Sequence, residues 1–587
     1  MVEPILELGN DHVLIEYDCS LGTFDVKDVA AGAFVMGGVH SGFTEAGSDG
    51  GGIAWATGSD TYISSELDDA TMSLRIKHLV KPGITLTQHF TLGEASEDGY
   101  LLLQLTVENE SVEPLRIEEL RSMQLGEQGY LQIGSDPMRC LVYTDPYYKI
   151  PAAVREVFDG FDSRMFHKAH SQGIQYLERD YETPWHSTFD GVIKDPLTGY
   201  GAVFGYTTCR RFLPQIAFTY NKEIDRDVFR DFTLLTRCEG RGCEPGETLE
   251  AETCYLYLGY DIERAQEQYA DLIASSMGAV KLDRPVSGWC SWHYAFFQVT
   301  EDDVERNLRF AAEHPEVFTP EPGGFEYILI DYGWQQTIGS PAVNKEQFPR
   351  GMKRMADMIR EAGFRPGIWI APFWIEADAE IVTTHPEYLL HHADGSLALG
   401  PRTFKHPYAY RLDLSHPGAQ QYVLDQLTQL IHEWGYALIK MDFLEVATVS
   451  LTENRSQFRY HSDDRTSIEI LRDMCKKMQA LADAANNDIW LSPCGSPVMA
   501  LCGIFKTNFV AEDAIIRFIP DRIHMHGGVK AFAQTLALRR YYQDRIWTNN
   551  YESVILRARD HTRKHALTSP LQGWPAASCS MATSFRR

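Results

Sequence analysis

One short stretch, GYALIKMDFLEV at residues 435–446, places a cation and a carboxylate inside an apolar run. Lys440 and Asp442 are two positions apart, and residues i and i+2 of a β-strand point to the same face. The two side chains would therefore project side by side from the end of a buried strand. Because burying either charge without a partner is expensive, the pattern predicts either a chemical site or a plain buried ion pair.

The region that must position this pair, residues 286–587, alternates strand-like and helix-like segments. The candidate strands are VSGWCSW, FEYILIDYGW, RPGIWIAPFW, ALIKMDFL, DIWLSPCG, KTNFVAED and RIWTNN. Between them lie helical segments such as TEDDVERNLRFAAEH, with Thr300 and Asp303 as a capping box, and MKRMADMIREAG, which ends at Gly363. This alternation predicts a (β/α)8 TIM-type barrel. An open doubly wound sheet is the main alternative, but it would usually show a glycine-rich phosphate loop, and we find none.

Residues 1–260 have a different pattern. Short alternating runs such as HVLIEYD, ITLTQHFTL and YLLLQLTVENES, bounded by Gly, Asp and Pro, predict an antiparallel β-sandwich. Residues 261–285 join the two regions and contain DIERAQEQYADLIASSM. Its helical spacing and its candidate N-cap Asp261 predict a linker helix over 261–277.

Composition and charge argue against several classes of partner. The 587 residues carry a formal net charge of −27, which disfavours nucleic acid and anionic membranes and fits a neutral or cationic ligand. No apolar run is long enough for a membrane span, and the N-terminus lacks signal-peptide features. The 11 cysteines are scattered, and the closest pair, Cys238 and Cys243, lacks metal-ligand spacing. We therefore expect a cytoplasmic protein without disulfides or a structural zinc.

In a barrel, functional residues lie at the C-terminal ends of the strands. After Lys440 and Asp442, these ends offer Asp331, Tyr332, Trp334, Trp369, Pro372, Trp374, Cys494, Gly495, Glu512 and Asp513. Carboxylates and aromatic faces around one mouth suit a sugar, and two carboxylates flanking a glycosidic bond can cleave it. A single Asp is more often a helix cap, a single Trp is more often packing, and a Cys can be a small core residue. The functional interpretation therefore depends on several of these residues occurring together at the same end of successive strands.

Along most of 286–560 the sequence resembles glycoside hydrolase family 36, the α-galactosidase and raffinose-synthase relatives within the melibiase superfamily. GWCSW, which ends at Trp292, resembles the opening motif of that family, and IDYGWQ resembles its Asp-Asp-Gly-Trp strand. IKMDFL resembles its Lys-Trp-Asp strand, SPCGSPV its Cys-Gly-x-Pro segment, and NFVAEDA the segment that carries the acid/base Asp. The shared order of these motifs carries the resemblance.

The resemblance implies a retaining α-glycosidase acting on terminal α-linked sugars of oligosaccharides, with α-galactosides as the expected substrates and no metal or organic cofactor. Asp442 would be the nucleophile and Asp513 the general acid and base, with their carboxyl groups about 5–5.5 Å apart. Lys440 would bond a sugar hydroxyl and keep Asp442 ionised by charge attraction. The expected substrate-binding residues are Trp292, Asp331, Tyr332, Trp334, Trp369, Lys440, Cys494 and Gly495.

The sequence departs from the family pattern at residues that recognise the sugar. Tyr332 stands where the family has a second Asp, Phe509 where it has an Arg, and NNYE at 549–552 where it has Asn-Asp-Pro-Asp. Glu512 competes with Asp513 for the acid role. The sugar therefore stays open, and two alternatives remain: a transglycosylase of the raffinose-synthase type, or a catalytically impaired sugar-binding relative.

The remaining expectations concern partners and the C-terminus. We expect an oligosaccharide or glycoside as the ligand, neither nucleic acid nor membrane as a partner, and leave a homo-oligomer open. After HTRKHALTSPLQGW the sequence shows no apolar run for an eighth strand. We therefore expect a barrel that is incomplete at its C-terminal end and exposes a strand edge.

Overall fold

The structure is a computed structural model of the chain. It describes residues 5–583 apart from 48–52, 58–59, 94–98, 146–151, 164–165, 170–180, 185–187, 401–402, 404, 452, 486–487, 512–527 and 557–577. Within these residues the chain forms an antiparallel β-sandwich followed by a parallel eight-stranded barrel. The predicted fold class is therefore confirmed.

The first sheet of the sandwich is antiparallel throughout. In spatial order its strands are Ile5–Gly9, Val13–Asp18, Thr23–Asp28, Ala33–Glu45, Leu115–Leu131, Asp231–Cys243, Leu213–Tyr220 and Phe161–Asp162, and Ala54–Trp55 pairs with Ala33–Glu45. Val13–Asp18 shows why these segments become strands, since its residues alternate between buried and half-buried. One apolar face therefore turns inward.

The second sheet packs its apolar face against the first. In spatial order its strands are Ala153–Glu156, Leu141–Thr144, Asp190–Lys194, Gly201–Tyr206, Cys254–Gly259, Tyr100–Asn109, Ile84–Leu92, Ser73–Lys81 and Tyr62–Asp68, and Thr248–Glu250 pairs with Tyr100–Asn109. The rings of Phe24 and Phe90 meet edge to face across the two sheets, 5.0 Å between centroids. The Tyr17 hydroxyl donates to Gln88 Oε1 at 2.8 Å inside the same core. A short hairpin, Phe166–Ala169 with Tyr181–Pro184, and a one-turn helix, Lys222–Asp225, complete this region.

A helix, Ile262–Met277, connects the sandwich to the barrel. Asp261 caps its first turn by accepting a hydrogen bond from the Arg264 amide, and Gly278 ends it with a φ of 70°. The sequence predicted both the helix and its cap. The helix lies between the last sandwich strand, Cys254–Gly259, and the first barrel strand, Ser287–Cys290.

Eight parallel strands form the barrel sheet. In chain order, from first to eighth, they are Ser287–Cys290, Phe325–Ile330, Arg365–Ile370, Leu438–Met441, Trp490–Pro493, Thr507–Phe509, Thr548–Leu556 and Ser578–Thr583. The spatial order runs from the fifth strand down to the first and then through the eighth and seventh to the sixth. The two end strands are joined by the Trp490 indole, which donates to the Thr507 hydroxyl at 3.0 Å. The sheet thus curls until its ends meet.

The helices of the barrel lie between its strands. They are Trp292–Ala295, Glu301–Glu313, Met352–Glu361, Ile381–Thr384, Pro417–Thr428 with its π-turn Gln429–Glu433, Ser467–Ala484 and Gly528–Leu538. The predicted capping box of Thr300 and Asp303 is present at the start of Glu301–Glu313. Two small antiparallel sheets of two strands each lie among the barrel elements, Trp374–Glu376 with Ala409–Arg411 and His391–His392 with Phe458–Arg459. No helix in the described part of the chain has both the length and the apolar character needed to cross a membrane.

The prediction that the eighth strand is missing was wrong. Ser578–Thr583 pairs in parallel with both the first strand and the seventh strand of the barrel. A strand held on both edges is stabilised by main-chain hydrogen bonds, and these need no apolar side-chain pattern. The small and polar residues of SCSMAT therefore gave no signal in the sequence.

Candidate active site

The fourth barrel strand, Leu438–Met441, brings Lys440 and Asp442 to the barrel mouth. Every residue of this strand is buried. The Asp442 amide donates to the Ile370 carbonyl at 2.8 Å, so the pairing with the third strand continues as far as Asp442. Asp442 stands at the end of the strand with 8% of its surface exposed, and Lys440 lies one pleat deeper at 4%.

Two donors orient the Asp442 carboxylate. The Phe443 amide donates to Oδ1 at 2.9 Å, and the Trp369 indole donates to Oδ2 at 3.2 Å. The first contact depends on a sharp turn, because Phe443 adopts a left-handed conformation with a φ of 55°. A non-glycine residue in this region signals local strain that the surrounding structure must hold. The carboxylate is therefore fixed between the third and fourth strands.

Lys440 has a partner that the sequence did not predict. Its Nζ lies 3.0 Å from Asp331 Oδ2, and both side chains are almost completely buried. Asp331 also accepts the Cys290 thiol on Oδ2 at 3.3 Å and the Tyr332 amide on Oδ1 at 2.8 Å. A buried pair of this kind requires good geometry and further hydrogen bonds, and Asp331 has both. The second strand thus supplies a charge that fixes the lysine of the fourth.

The predicted aromatic residues divide into two groups. Trp334 is 1% exposed, and its indole donates to the Trp369 carbonyl at 2.7 Å. It therefore stabilises the main chain of the third strand. Tyr332 packs against Trp369 at 5.1 Å and Trp292 at 6.2 Å between ring centroids. Burial and the charge of Glu376 raise the pKa of Tyr332 well above its ordinary value.

The fifth strand places a glycine directly against the nucleophile candidate. Cys494 is buried, and its amide donates to the Met441 carbonyl at 2.7 Å. Gly495 has a φ of 56°, and a Cβ at this position would lie 3.0 Å from Asp442 Oδ1 and 2.9 Å from Glu445 Oε2. A methyl group here would crowd both carboxylates, and the positive φ also favours glycine at this position. The sequence named both Cys494 and Gly495, and the structure places Gly495 against Asp442 and Cys494 against the preceding residue, Met441.

Sequence reasoning missed Glu445. It lies in the short 3-10 helix Leu444–Ala447 that follows Asp442, and its amide donates to the Gly495 carbonyl at 2.9 Å. Its Oε2 atom and Asp442 Oδ1 approach the same point beside Gly495. Glu445 is three residues after Asp442, and three residues make one turn of a 3-10 helix. This spacing is the signal in the sequence that could have placed the two carboxylates together. Glu445 thus adds a second carboxylate next to Asp442.

Two other sequence predictions concern the sixth strand. Phe509 is 4% exposed, and Lys440 Nζ lies 5.2 Å from the centre of its ring, within the range of a cation–π contact. Glu512 and Asp513 lie outside the described residues. The acid/base role of Asp513 and its separation from Asp442 therefore stay predictions.

One group of side chains near the mouth has the composition of a metal site. Ligand atoms of Glu376, Asp378 and His406 all lie within 4.8 Å of one another. Glu376 is fully buried, however, and its two oxygens accept hydrogen bonds from the Ile338 amide and the Thr403 hydroxyl. These contacts, with the 3.0 Å pair between His406 Nε2 and Asp378, explain the group as internal hydrogen bonding.

The fold defines a class, the (β/α)8 barrel proteins, here with a carboxylate at the end of the fourth strand. Residues 267–495 match the family model described as Melibiase. This part of the chain is therefore similar to the melibiase family. The matched residues contain Asp331, Lys440, Asp442 and Cys494 and end at Gly495.

Two α-galactosidases are among the relatives to which this chain is similar. α-Galactosidase Mel36A of Lactobacillus acidophilus is 22% identical over 258 residues, 41% of this chain and 32% of that protein. α-Galactosidase 1 of Pediococcus pentosaceus is 26% identical over 182 residues, 29% of this chain and 23% of that protein. The chain thus spans a third or less of the length of these two relatives.

Solved structures share the fold. TtGalA of Thermus thermophilus, an α-galactosidase solved with p-nitrophenyl α-D-galactopyranoside, aligns with a TM-score of 0.60 and 20% identity. That alignment covers 84% of this chain and 90% of the other. The same enzyme has been solved in complex with stachyose.

Proposed function

We propose that the chain is a retaining α-glycosidase that hydrolyses terminal α-galactosides of oligosaccharides through two aspartates. The observation that carries this proposal is the position of Asp442. Its carboxylate stands at the end of a barrel strand, is oriented by the Phe443 amide and the Trp369 indole, and lies beside the buried Lys440–Asp331 pair. This is the arrangement that a fixed nucleophile at a sugar-binding mouth requires.

The mechanism has two steps with balanced proton transfers. In the first, Asp442 attacks the anomeric carbon, and the leaving oxygen takes a proton from Asp513 as the glycosidic bond breaks. In the second, a water molecule gives its proton to Asp513 and attacks the same carbon, releasing Asp442. Two inversions leave the configuration retained. Asp331 and Lys440 offer an acceptor and donors for the sugar hydroxyls.

The choice of α-galactosides is supported by the relatives, which are α-galactosidases by name, and by the ligands of TtGalA. Tyr332 is the reason to test that choice, because it replaces a carboxylate of the family motif. We expect Tyr332→Asp to raise kcat/KM on α-galactosides relative to other α-glycosides. An unchanged ratio would contradict the idea that Tyr332 sets the sugar.

Two further functions are proposed as alternatives, and the same residue favours both. Replacement of a sugar-reading carboxylate by Tyr332 could accompany transfer of the sugar to another sugar, as in raffinose synthases. It could also accompany loss of turnover with retained sugar binding. Transfer and hydrolysis share the first step and differ only in what attacks the glycosyl-enzyme.

Product analysis separates the three functions. The wild-type protein and Asp442→Ala are incubated with melibiose, raffinose and a panel of 4-nitrophenyl α-glycosides, and the products are resolved by chromatography. Free galactose from wild type alone supports hydrolysis, and longer oligosaccharides support transfer. If both proteins are inert on every substrate yet bind sugar, the proposed activity is contradicted and the binding function is supported.

We also propose that the protein works in a reducing compartment such as the cytoplasm. The support is that the ten cysteines with described side chains are all free thiols and all buried. Non-reducing and reducing mass spectrometry of protein isolated from its own cells tests this proposal. A disulfide in the isolated protein would contradict it.

A further inference from the structure

A bulge in the sandwich strand Asp231–Cys243 lies against the barrel. Between Arg237 and Arg241 this strand advances four residues while its neighbour in the sheet advances two. Within the bulge Glu239 has a φ of 56° and Gly240 has a φ of 69°. Bulges re-aim side chains, and a left-handed glutamate is strained unless the surrounding structure holds it. The contacts of the bulge therefore deserve a functional explanation.

The Glu239 carboxylate binds the barrel segment that follows the fourth strand. Its Oε2 atom accepts hydrogen bonds from the Ser467 amide at 2.8 Å and from Arg455 Nη1 at 3.2 Å. The Ser467 hydroxyl donates to Oε1 of the same carboxylate, and it accepts a hydrogen bond from the Val449 amide at 3.1 Å. Only 3% of the Glu239 side chain is exposed. The strained residue thus holds Arg455 directly and Val449 through one hydroxyl.

Arg237, two residues earlier in the same strand, binds the same barrel segment. Its Nη1 donates to the Ser450 carbonyl at 2.8 Å, and its Nη2 donates to the Glu453 carbonyl at 2.5 Å. The Glu453 carboxylate pairs with Arg411 and accepts a hydrogen bond from the Ser450 amide at 3.0 Å. A planar guanidinium suits these contacts, because its fork presents two donors in a fixed geometry. We call Arg237 and Glu239 the sandwich clamp.

A short, hydrogen-bonded segment connects the clamped residues to the Asp442 carboxylate. Phe443, with a φ of 55°, supplies the amide that donates to Asp442. The 3-10 helix Leu444–Ala447 follows. The amide and the hydroxyl of Thr448 then donate to one carbonyl of that helix, at 3.0 and 2.7 Å. The two residues after Thr448 are the first two that the sandwich clamp holds.

A second set of contacts reaches Phe443 from the other side. Glu453, whose carbonyl Arg237 binds, holds Arg411 through its carboxylate. Arg411 pairs in register with Trp374, and the Trp374 and Phe443 rings lie 4.2 Å apart between centroids. The left-handed turn at Phe443 is therefore fixed both by its own segment and by a packed ring. A non-glycine residue keeps this conformation only when it is held in this way.

We infer that the sandwich clamp is a pair of positioning residues for the nucleophile. Arg237 and Glu239 fix the segment after the fourth strand and thereby hold the strained turn at Phe443, whose amide orients the Asp442 carboxylate. The inference rests on the proposed function, since it concerns the nucleophile of that mechanism. Displacing a reacting group by about 1 Å can cost about a hundredfold in rate, so the sandwich takes part in the chemistry of the barrel.

Steady-state kinetics as a function of pH distinguish a positioning role from a structural one. The substrate is the 4-nitrophenyl α-glycoside that wild type hydrolyses fastest. The variants are Arg237→Met, which removes both donors, Arg237→Lys, which keeps the charge without the fork, and Glu239→Gln. The control is Arg121→Met, because Arg121 lies in the neighbouring sandwich strand and bonds Glu119 and Gln124 of that same strand. Thermal melting shows which variants are folded, and Arg237→Lys and Glu239→Gln carry the test if Arg237→Met is not.

We expect Arg237→Met to lower kcat by about tenfold or more while KM changes by less than about twofold, because the reacting group and not the sugar contacts is displaced. Arg237→Lys and Glu239→Gln should fall between wild type and Arg237→Met. Arg121→Met should match wild type.

The acidic limb of the pH profile of kcat/KM gives a second readout. It should move to higher pH in Arg237→Met, because a carboxylate that loses an amide donor takes up a proton more easily. The charged neighbours of Asp442, which are Glu445, Lys440 and Asp331, are the same in every variant.

A lower melting temperature with unchanged kcat and an unchanged acidic limb would overturn the inference, and the clamp would then be purely structural while the proposed function stays intact. Equal losses of kcat in Arg121→Met would overturn it as well. A wild-type protein that is inert on the whole panel of 4-nitrophenyl α-glycosides would instead contradict the proposed function and, with it, the inference.

Discussion

Two buried cation–carboxylate pairs invite comparison, because they use similar charges in different surroundings. Lys440 meets Asp331 at the barrel mouth with a single 3.0 Å contact, next to a carboxylate that is 8% exposed. Arg539 meets Asp145 in the interface between sandwich and barrel, where neither side chain has any exposed surface. The first pair lies where a ligand can reach its neighbours, and the second lies where none can.

The residue types suit these surroundings. A lysine ammonium is a compact charge with three rotatable donors, so Lys440 can hold Asp331 and still offer protons to a sugar hydroxyl. The arginine fork commits its donors to fixed partners, and those of Arg539 are Asp145 and the Val510 carbonyl. Burial of a charge therefore does not by itself mark a catalytic site. The surroundings of the charge and the geometry of its donors decide between ligand binding and a structural role.

Apart from substitutions of Asp442 itself, the largest expected effect is the loss of stability when the Lys440–Asp331 pair is broken. Lys440→Met should lower the free energy of unfolding by about 3–5 kcal/mol, because it leaves Asp331 as an uncompensated buried charge. The matched control is Lys353→Met, since Lys353 pairs with Asp357 on an exposed helix surface and should contribute less than about 1 kcal/mol. Denaturant unfolding measures both.

The double variant Lys440→Met with Asp331→Leu sharpens this result. It removes both charges and should regain most of the lost stability. If Lys440→Met alone is as stable as wild type, the pair does not hold the mouth together, and the contrast between the two buried pairs is lost.

A smaller effect, on kcat, is expected when Gly495 is substituted, because this part of the barrel mouth is tightly packed. Gly495→Ala should lower kcat by about tenfold to a hundredfold, because the added methyl group collides with Asp442 and Glu445. Gly395→Ala is the control, since Gly395 has a φ of 88° and an added Cβ there would meet no atom within 4 Å. Both substitutions carry the left-handed strain of about 1–2 kcal/mol, so only the collision differs. Equal activity of the two variants would contradict the packing described at Asp442.

The smallest predicted effect is on the pH dependence of stability in the interface. The pKa of Asp190 is raised in the folded state above its ordinary value of 3.8, so the folded protein holds a proton that the unfolded chain releases. Stability should therefore fall as pH rises from about 4 toward the folded pKa. Asp190→Asn keeps the neutral side chain at every pH and should remove this fall.

Melting temperatures at pH 5 and pH 8 measure the difference. Wild type should lose stability relative to Asp190→Asn on going to pH 8, by about 1 kcal/mol or more. The groups that face Asp190 are Asp145, Arg539, Tyr541 and Tyr542, and none of them is altered in this comparison. Parallel changes in the two proteins would show that Asp190 is not the group that titrates.

Much of the fold could be predicted from local patterns. Three short-range features were predicted from residues that lie close together in the sequence. They are the alternating burial in Val13–Asp18, the cap of Asp261 and the capping box at Thr300. The eighth strand was missed because main-chain pairing with two neighbours, rather than an apolar run, forms Ser578–Thr583.

The site could be predicted only in part, for the same physical reason. Lys440 and Asp442 share a face because of their spacing, which the sequence shows directly. The contact between Lys440 and Asp331 joins residues 109 positions apart, and that between Arg539 and Asp145 joins residues 394 positions apart. Such contacts depend on how barrel and sandwich pack, which no single segment specifies.

The most direct test of the central claim, that Asp442 is the nucleophile, is covalent trapping. A 5-fluoro-α-galactosyl fluoride has a good leaving group and slows the second step, so the glycosyl-enzyme should accumulate. Mass spectrometry of the digested protein should then find one fluorogalactosyl group, and fragmentation should place it on Asp442 rather than on Glu445. Asp442→Ala should stay unlabelled. A label on Glu445, on Asp513 or on any other residue of wild type would contradict the claim.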